Sequence, residues 1–140
     1  MKNALKRLIL TIFMIQTTTG WSMGKPEHSK VESSVNPGKD GKMEMVFRIT
    51  TNKGIKVNNE GPWELNLTDL NGLKLDGENG KGSFKKVDFS IPGFKVTGIA
   101  TDGKKSGTFK YKLRSFICTE DKARCFMEVH TGEQAWNISK

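Results

Sequence analysis

The sequence predicts an all-β fold, an immunoglobulin-like antiparallel β-sandwich, and two observations support this prediction. From Met43 onward, short stretches of alternating apolar and polar residues are separated by Gly, Asn, Asp and Pro at spacings of about ten residues. No segment after residue 24 carries an amphipathic helical stripe, because Gly, Asn and β-branched residues interrupt the helical period. Several short strands in a chain of this length are typical of a sandwich of two sheets.

The strands follow from the positions of the breakers. Their predicted ranges are 43–51, 55–58, 63–69, 82–89, 94–100, 107–118, 124–130 and 135–138. Because successive side chains of a strand point to opposite faces, alternate apolar residues should line the core. Two such inward rows are predicted: Trp63, Leu65 and Leu67, and Phe94, Val96 and Gly98.

The N-terminal residues have the organisation of a secretory signal peptide. Lys2, Lys6 and Arg7 precede an apolar run at residues 8–15, and small or polar residues follow. This run is too short to cross a hydrocarbon layer about 30 Å thick as a helix. We therefore expect residues 1–24 to be a cleaved Sec-type signal peptide, the mature protein to be periplasmic or secreted, and no stable membrane insertion.

The next segment, residues 25–42, is rich in Pro, Gly, Ser and charged residues. Such a composition buries too little apolar surface to offset the entropy lost on ordering, which predicts a flexible lead-in to a domain at residues 43–140. The formal net charge of the whole chain is +8, but its cations are scattered and are not interleaved with aromatic residues. That arrangement argues against a nucleic-acid partner.

The segment around the two cysteines is the most informative. From Phe109 to Leu113, apolar residues alternate with basic ones, as in a half-buried strand. Further along, Phe116 and Cys118 fall on the parity of the basic residues. A one-residue bulge at residues 114–115 would return them to the inner face, and we therefore predict such a bulge.

A turn at residues 121–122 would form a hairpin that brings the cysteines together. Cys118 would then lie opposite Cys125, and Phe116 opposite Met127. Residues directly opposite in an antiparallel pair have Cα atoms about 4.5 to 5.5 Å apart, which a disulfide tolerates. In an oxidising compartment we expect the bond to form and to stabilise the fold by roughly 2 to 3 kcal/mol.

Two roles remain open for this disulfide. It can be a structural staple, as is common in small secreted domains. Alternatively, it can exchange with the thiols of another protein, because Lys122, Arg124 and Arg114 could stabilise a thiolate. Glu120 and Asp121 would oppose that stabilisation.

Other chemistries have little support. A zinc site of Cys118, Cys125 and His130 lacks an evident fourth ligand, and the cysteine spacing is wider than is usual for zinc. The chain contains no nucleophile elbow, phosphate-binding glycine loop or helix-borne metalloprotease motif. We predict no metal and no cofactor, and the sequence leaves open whether the protein is an enzyme.

The cysteine hairpin also resembles a known family. The segment Ser-Phe-Ile-Cys-Thr-Glu-Asp-Lys-Ala-Arg-Cys at residues 115–125 ends an alternating strand. It is similar to the cysteine strand pair in the N-terminal periplasmic domain of the thiol:disulfide interchange protein DsbD, and the likeness extends loosely over residues 55–130. The resemblance implies an immunoglobulin-like sandwich whose cysteines accept electrons from a membrane carrier and pass them to thioredoxin-like proteins.

On this resemblance, Cys118 and Cys125 would be the exchanging pair, with Phe116 and Met127 as their neighbours. Trp63 either shields the sulfur atoms or is a buried core residue. The first hypothesis is therefore an exported DsbD-N-like domain that takes part in thiol-disulfide exchange in the cell envelope. The alternative is a non-catalytic binding or structural module stabilised by the same disulfide.

Overall fold

The computed structural model describes residues 26–76 and 82–138, so the expected signal peptide at residues 1–24 lies outside the described residues. The described residues form strands and one short 3-10 turn at Lys39–Gly41, and they include no helix of the length and hydropathy needed to cross a bilayer. The strands are β1 (Ser29–Pro37), β2 (Met43–Thr51), β3 (Ile55–Val57), β4 (Glu64–Thr68), β5 (Leu73–Leu75), β6 (Ser83–Phe84), β7 (Gly93–Ala100), β8 (Ser106–Thr119) and β9 (Cys125–Asn137).

Two antiparallel sheets pack face to face, which confirms the predicted all-β sandwich. The first sheet has the order β1-β2-β7-β5. In the second, β9 pairs with β8 along almost its whole length, and β3, β4 and β6 lie on the other side of β8. Strand β8 is therefore the centre of the second sheet, and the cysteines lie at its C-terminal end.

The core lies between the sheets and consists of the residues that the alternation predicts. Both inward rows are confirmed, because Trp63, Leu65, Leu67, Phe94, Val96 and Gly98 are all buried. They pack with inward residues of β2 and β8, of which Phe47 and Phe109 lie in edge-to-face contact with ring centroids 6.2 Å apart. Such aromatic pairs add to the stabilisation that burial itself provides.

The predicted flexible lead-in is wrong for residues 29–37, which form β1 and pair with β2 from Ser29 to Pro37. The composition of this strand is polar because it lies at the edge of a sheet and turns few residues to the core. Val31 and Val35 pack against the core, while Ser29 makes buried polar contacts. The folded domain therefore begins before Met43.

Three further strand assignments differ from the prediction. Strand β5 was not predicted. The predicted strand 82–89 is reduced to β6, because the chain then enters a turn in which Asp88 accepts a hydrogen bond from the Ser90 N–H at 2.9 Å. The two predicted strands at 124–130 and 135–138 are one continuous strand, β9. Gly132 fits within this strand because it has no Cβ, and a Cβ at this position would lie only 2.5 Å from the Tyr111 hydroxyl.

The predicted bulge at residues 114–115 is also wrong. The pairing of β8 with β9 continues without interruption from Ser106–Asn137 to Cys118–Cys125. Ser115 and Ile117 therefore occupy the inner face, where both are fully buried. Phe116 and Cys118 stay on the outer face with the basic residues, because another part of the chain covers them there.

Candidate functional site

The hairpin of β8 and β9 has the predicted register, with Cys118 opposite Cys125 and Phe116 opposite Met127. The two cysteines form a disulfide, and their Cα atoms are 4.0 Å apart. The turn between them is held by the Lys122 N–H, which donates to the Thr119 carbonyl at 2.9 Å. The site is therefore a disulfide across the last rung of a long hairpin.

The two sulfur-bearing residues differ in exposure. Cys118 is only 2 % exposed, whereas Cys125 is exposed to solvent. Next to Cys125 on the outer face, Met127 is 58 % exposed. An incoming thiolate can therefore reach the disulfide from the side of Cys125.

Residues 58–63 form a loop that covers the Cys118 side, and we call it the covering loop. Strand β3 leads into it and pairs Lys56 with Cys118. The Asn58 N–H then donates to the Phe116 carbonyl at 2.9 Å, which continues the ladder by one residue. Gly61 crosses directly over the Phe116 ring, since any Cβ at that position would lie 2.0 Å from the Phe116 Cγ. Only glycine permits this close approach.

The side chain of Asn58 contacts the disulfide. Its Nδ2 donates a hydrogen bond to Cys118 Sγ at 3.1 Å, and its Oδ1 accepts one from the Glu60 N–H at 2.8 Å. The backbone carbonyl of Asn58 accepts a bond from Trp63 Nε1 at 2.7 Å. Asn58 is thus fixed by its neighbours and turns an amide donor toward one sulfur atom.

Trp63 is a core residue that also positions the covering loop. Its side chain is buried, with its ring 6.2 Å from that of Phe89 and 6.5 Å from that of Phe94. Its indole N–H holds the Asn58 carbonyl, as described above. Of the two predicted roles, the buried core role is confirmed.

An open cavity of about 430 Å³ lies beside the disulfide. Cys118 and Asn58 line it on one side, and Lys56, Lys122 and the exposed Phe89 line it on the others. The cavity combines an apolar ring with two cationic side chains and the carboxylate of Glu120. It is therefore a surface against which a second protein could pack while it reacts with the disulfide.

The charges near the cysteines are partly engaged elsewhere. Arg114 binds the Glu64 carboxylate at 2.7 Å and the Pro62 carbonyl at 2.9 Å, so it is directed away from the sulfur atoms. Lys56 is 3.8 Å from Glu120, and both are largely exposed. The Thr119 hydroxyl and the Ala123 N–H lower the pKa of Asp121, which therefore stays anionic in the turn. Of the three cations predicted to stabilise a thiolate, Arg114 is thus removed from that role.

A second group of polar residues lies on the inner face of β9, next to β1. Glu128 is 7 % exposed, and it accepts hydrogen bonds from the backbone N–H groups of Glu27 at 3.0 Å and His28 at 2.8 Å, and from the Ser29 hydroxyl at 2.5 Å. His130 Nε2 lies 3.0 Å from Ser29 Oγ and 3.8 Å from Glu128. The same imidazole nitrogen faces both groups, so the arrangement differs from that of a catalytic triad, in which the acid orients the opposite nitrogen.

Sequence reasoning identified the disulfide and its neighbours but missed Asn58 and the Glu128 group. Asn58 occupies an unremarkable polar stretch, Asn-Asn-Glu-Gly, that is typical of a turn. Glu128 lies between Met127 and Val129, where it would be expected to face water. The partners that bury it come from residues 27–29, about a hundred positions earlier in the chain.

No protein-family model matches the chain, and a search of curated proteins gives no significant match. The geometry of the disulfide and its surroundings is therefore the basis for a functional proposal.

Proposed function

We propose that this protein is an exported domain that takes part in thiol-disulfide exchange through Cys118 and Cys125. The observation that carries the proposal is the unequal exposure of the two cysteines, with Cys125 exposed to solvent and Cys118 buried at the wall of an open cavity. Exchange requires access of a thiolate to one sulfur, and exposed disulfides are the labile ones. The resemblance of the hairpin to the DsbD N-terminal domain family supports the same reading.

The position of the bond in the fold is compatible with repeated opening. Neither cysteine belongs to the main cluster of buried residues between the sheets. The strands that they join are also paired at each rung from Ser106–Asn137 to Ile117–Phe126. Opening the bond therefore leaves the core and the rest of the ladder in place.

The partners that fit this function carry a reactive thiol pair. A thioredoxin-like protein or a membrane electron carrier in the cell envelope would react with the exposed Cys125 from the open side of the hairpin. The cavity next to the bond would receive apolar groups of such a partner, because the exposed Phe89 lines it. This proposal includes the periplasmic or secreted location that the N-terminal sequence predicts.

A redox titration of the purified protein tests the proposal. We expect a midpoint potential near −230 mV or above, within reach of thioredoxin-like partners. A structural disulfide would instead have a midpoint potential below about −300 mV. The free and bonded thiols are counted by alkylation and mass spectrometry at each potential. A midpoint below that of thioredoxin would reject exchange and favour the second candidate.

That second candidate is a non-catalytic binding or structural module stabilised by the disulfide. The burial of Cys118 favours it, since buried sulfurs are generally inert. Trapping separates the two candidates directly. After Cys118→Ser substitution, the free Cys125 of an exchange protein should retain its partner as a mixed disulfide, while the Cys125→Ser protein serves as the matched control and should retain much less.

A further inference from the structure

We propose that the Asn58 side chain assists exchange by stabilising Cys118 as the leaving sulfur when a thiolate attacks Cys125. This assignment rests on the exchange function proposed above and adds a direction and a catalytic residue to it. It follows from two independent observations, namely the unequal exposure of the cysteines and the hydrogen bond from Asn58 Nδ2 to Cys118 Sγ.

The chemical step is balanced by two thiols of the partner. A partner thiolate attacks Cys125 Sγ, the Cys118–Cys125 bond breaks, and its electron pair goes to Cys118 Sγ as a thiolate. A second thiolate of the partner then attacks the partner's sulfur in the mixed disulfide and releases Cys125. The partner dithiol is oxidised to a disulfide, and the two protons that it loses end on Cys118 and Cys125.

Asn58 is suited to the first step because its donor is in place before the charge develops. Its N–H and carbonyl are bound by Phe116 and Trp63, and its side-chain oxygen is bound by the Glu60 N–H. The amide is therefore oriented without further reorganisation. A hydrogen bond to a charged acceptor is roughly twice as strong as one to a neutral acceptor, so the contact strengthens as Cys118 becomes a thiolate. This is preorganised stabilisation of developing charge.

Two of the neighbouring cations are engaged with other groups. Arg114 is bound to Glu64 and the Pro62 carbonyl, and Lys56 is paired with Glu120 at 3.8 Å. Cys118 is also only 2 % exposed, so few water molecules can contact it to stabilise a thiolate. Burial without a donor would raise the pKa of this thiol and make it a poor leaving group.

The test replaces Asn58 by residues that keep its local contacts but remove the donor. Asn58→Asp retains an oxygen for the Glu60 N–H and presents an anionic oxygen to the sulfur. Asn58→Ser retains an acceptor but is too short to reach Cys118. Asn66→Asp is the matched control, because it makes the same charge change on strand β4, at a residue that pairs with Ser83 and Lys112 and does not line the cavity.

Two measurements are made on each protein. The first is the rate of disulfide opening by glutathione, with the site of the first adduct identified by rapid alkylation and peptide mass spectrometry. The second is the pKa of the Cys118 thiol in a Cys125→Ser background, from the pH dependence of alkylation. Circular dichroism establishes that each variant is folded, and the Asn58→Ser protein serves if Asn58→Asp does not fold.

We expect the first adduct on Cys125 in the unsubstituted protein. Asn58→Asp should raise the Cys118 pKa by about one unit and slow opening by roughly three- to tenfold, whereas Asn66→Asp should change the rate by less than about twofold. An adduct on Cys118, or equal effects of the two Asp variants, would overturn the assignment. A low redox midpoint in the titration above would instead reject exchange itself, whatever the Asn58 variants do with glutathione.

Discussion

The buried His130 makes the stability of this domain depend on pH at the level of a single residue. Burial lowers the pKa of His130 below its ordinary value of 6.5, and the nearby Glu128 carboxylate only partly opposes this effect. The unfolded chain therefore takes up a proton on this imidazole at a higher pH than the folded chain does. Since proton binding then favours the unfolded state, stability is complete above pH 6.5 and decreases as the pH falls toward the folded pKa.

Urea unfolding at about pH 7 and at about pH 5.5 measures this effect, because ordinary carboxylates remain ionised over that interval. We expect the free energy of unfolding to decrease over the interval for the unsubstituted protein. His130→Gln should remove most of the decrease, since a glutamine amide can donate to Ser29 but does not titrate. The other histidine provides the control, because His28 stacks on Phe126 at the surface, and His28→Gln should leave the decrease in place. An equal pH dependence in both variants would contradict the interpretation.

At the level of elements, β1 is part of the folded domain rather than a tail. It covers the edge of β2 along its full length, and its Ser33 hydroxyl also bonds to Gln134 of β9 at 2.6 Å. The residues just before it supply the backbone donors for Glu128. Strand β1 therefore links the two sheets at one side of the sandwich.

A chain that begins at Met43 tests this role. It lacks β1 and leaves the buried Glu128 carboxylate without three of its donors, which should cost more than about 3 kcal/mol of folding free energy. We expect this truncated chain to be largely unfolded by circular dichroism, whereas a chain that begins at Lys25 should unfold cooperatively. A cooperative transition of unchanged midpoint in the shorter chain would show that β1 is dispensable.

The contrast between β2 and β1 shows how far the sequence predicts the elements. Strand β2 has apolar residues at each inward position, and its predicted bounds, 43–51, agree with the structure. Strand β1 fills its inward positions with both Val and Ser, and the partner that makes a buried Ser favourable is distant in sequence. Local alternation carries no information about such a partner.

The covering loop explains in the same way why the bulge was predicted. The alternation indicates which residues share a face of β8, and that part of the prediction was right. It does not indicate whether the outer face is exposed, and here Gly61 partly covers Phe116 while Cys118 is buried beside Asn58. The register of the cysteine hairpin was predictable because it depends only on the position of a short turn.

For the molecule as a whole, the disulfide contributes to stability without determining the fold. The buried cluster between the two sheets contains neither cysteine, and its members come from strands of both sheets. The bond closes a loop with a sequence separation of only 7. Closing so short a loop restricts the unfolded chain by a modest amount.

We therefore expect the double variant Cys118→Ser and Cys125→Ser to lose about 2 to 3 kcal/mol of unfolding free energy and to remain folded. Chemical denaturation measures the loss, and near-ultraviolet circular dichroism reports whether tertiary packing is retained. The unsubstituted protein under reducing conditions provides the comparison, since it should show a similar loss. Disappearance of the tertiary signal in the double variant would mean that the bond is required for folding.

The long hairpin of β8 and β9 has a mechanical consequence. The two cysteines form the last residue pair of the hairpin. Opening or closing their bond therefore requires little more than rotation of the two side chains, while the other twelve residue pairs of the ladder remain paired. In the exchange function proposed above, the two cysteines would carry a pair of electrons at the end of a rigid hairpin. Such a domain would pass between its oxidised and reduced forms without refolding.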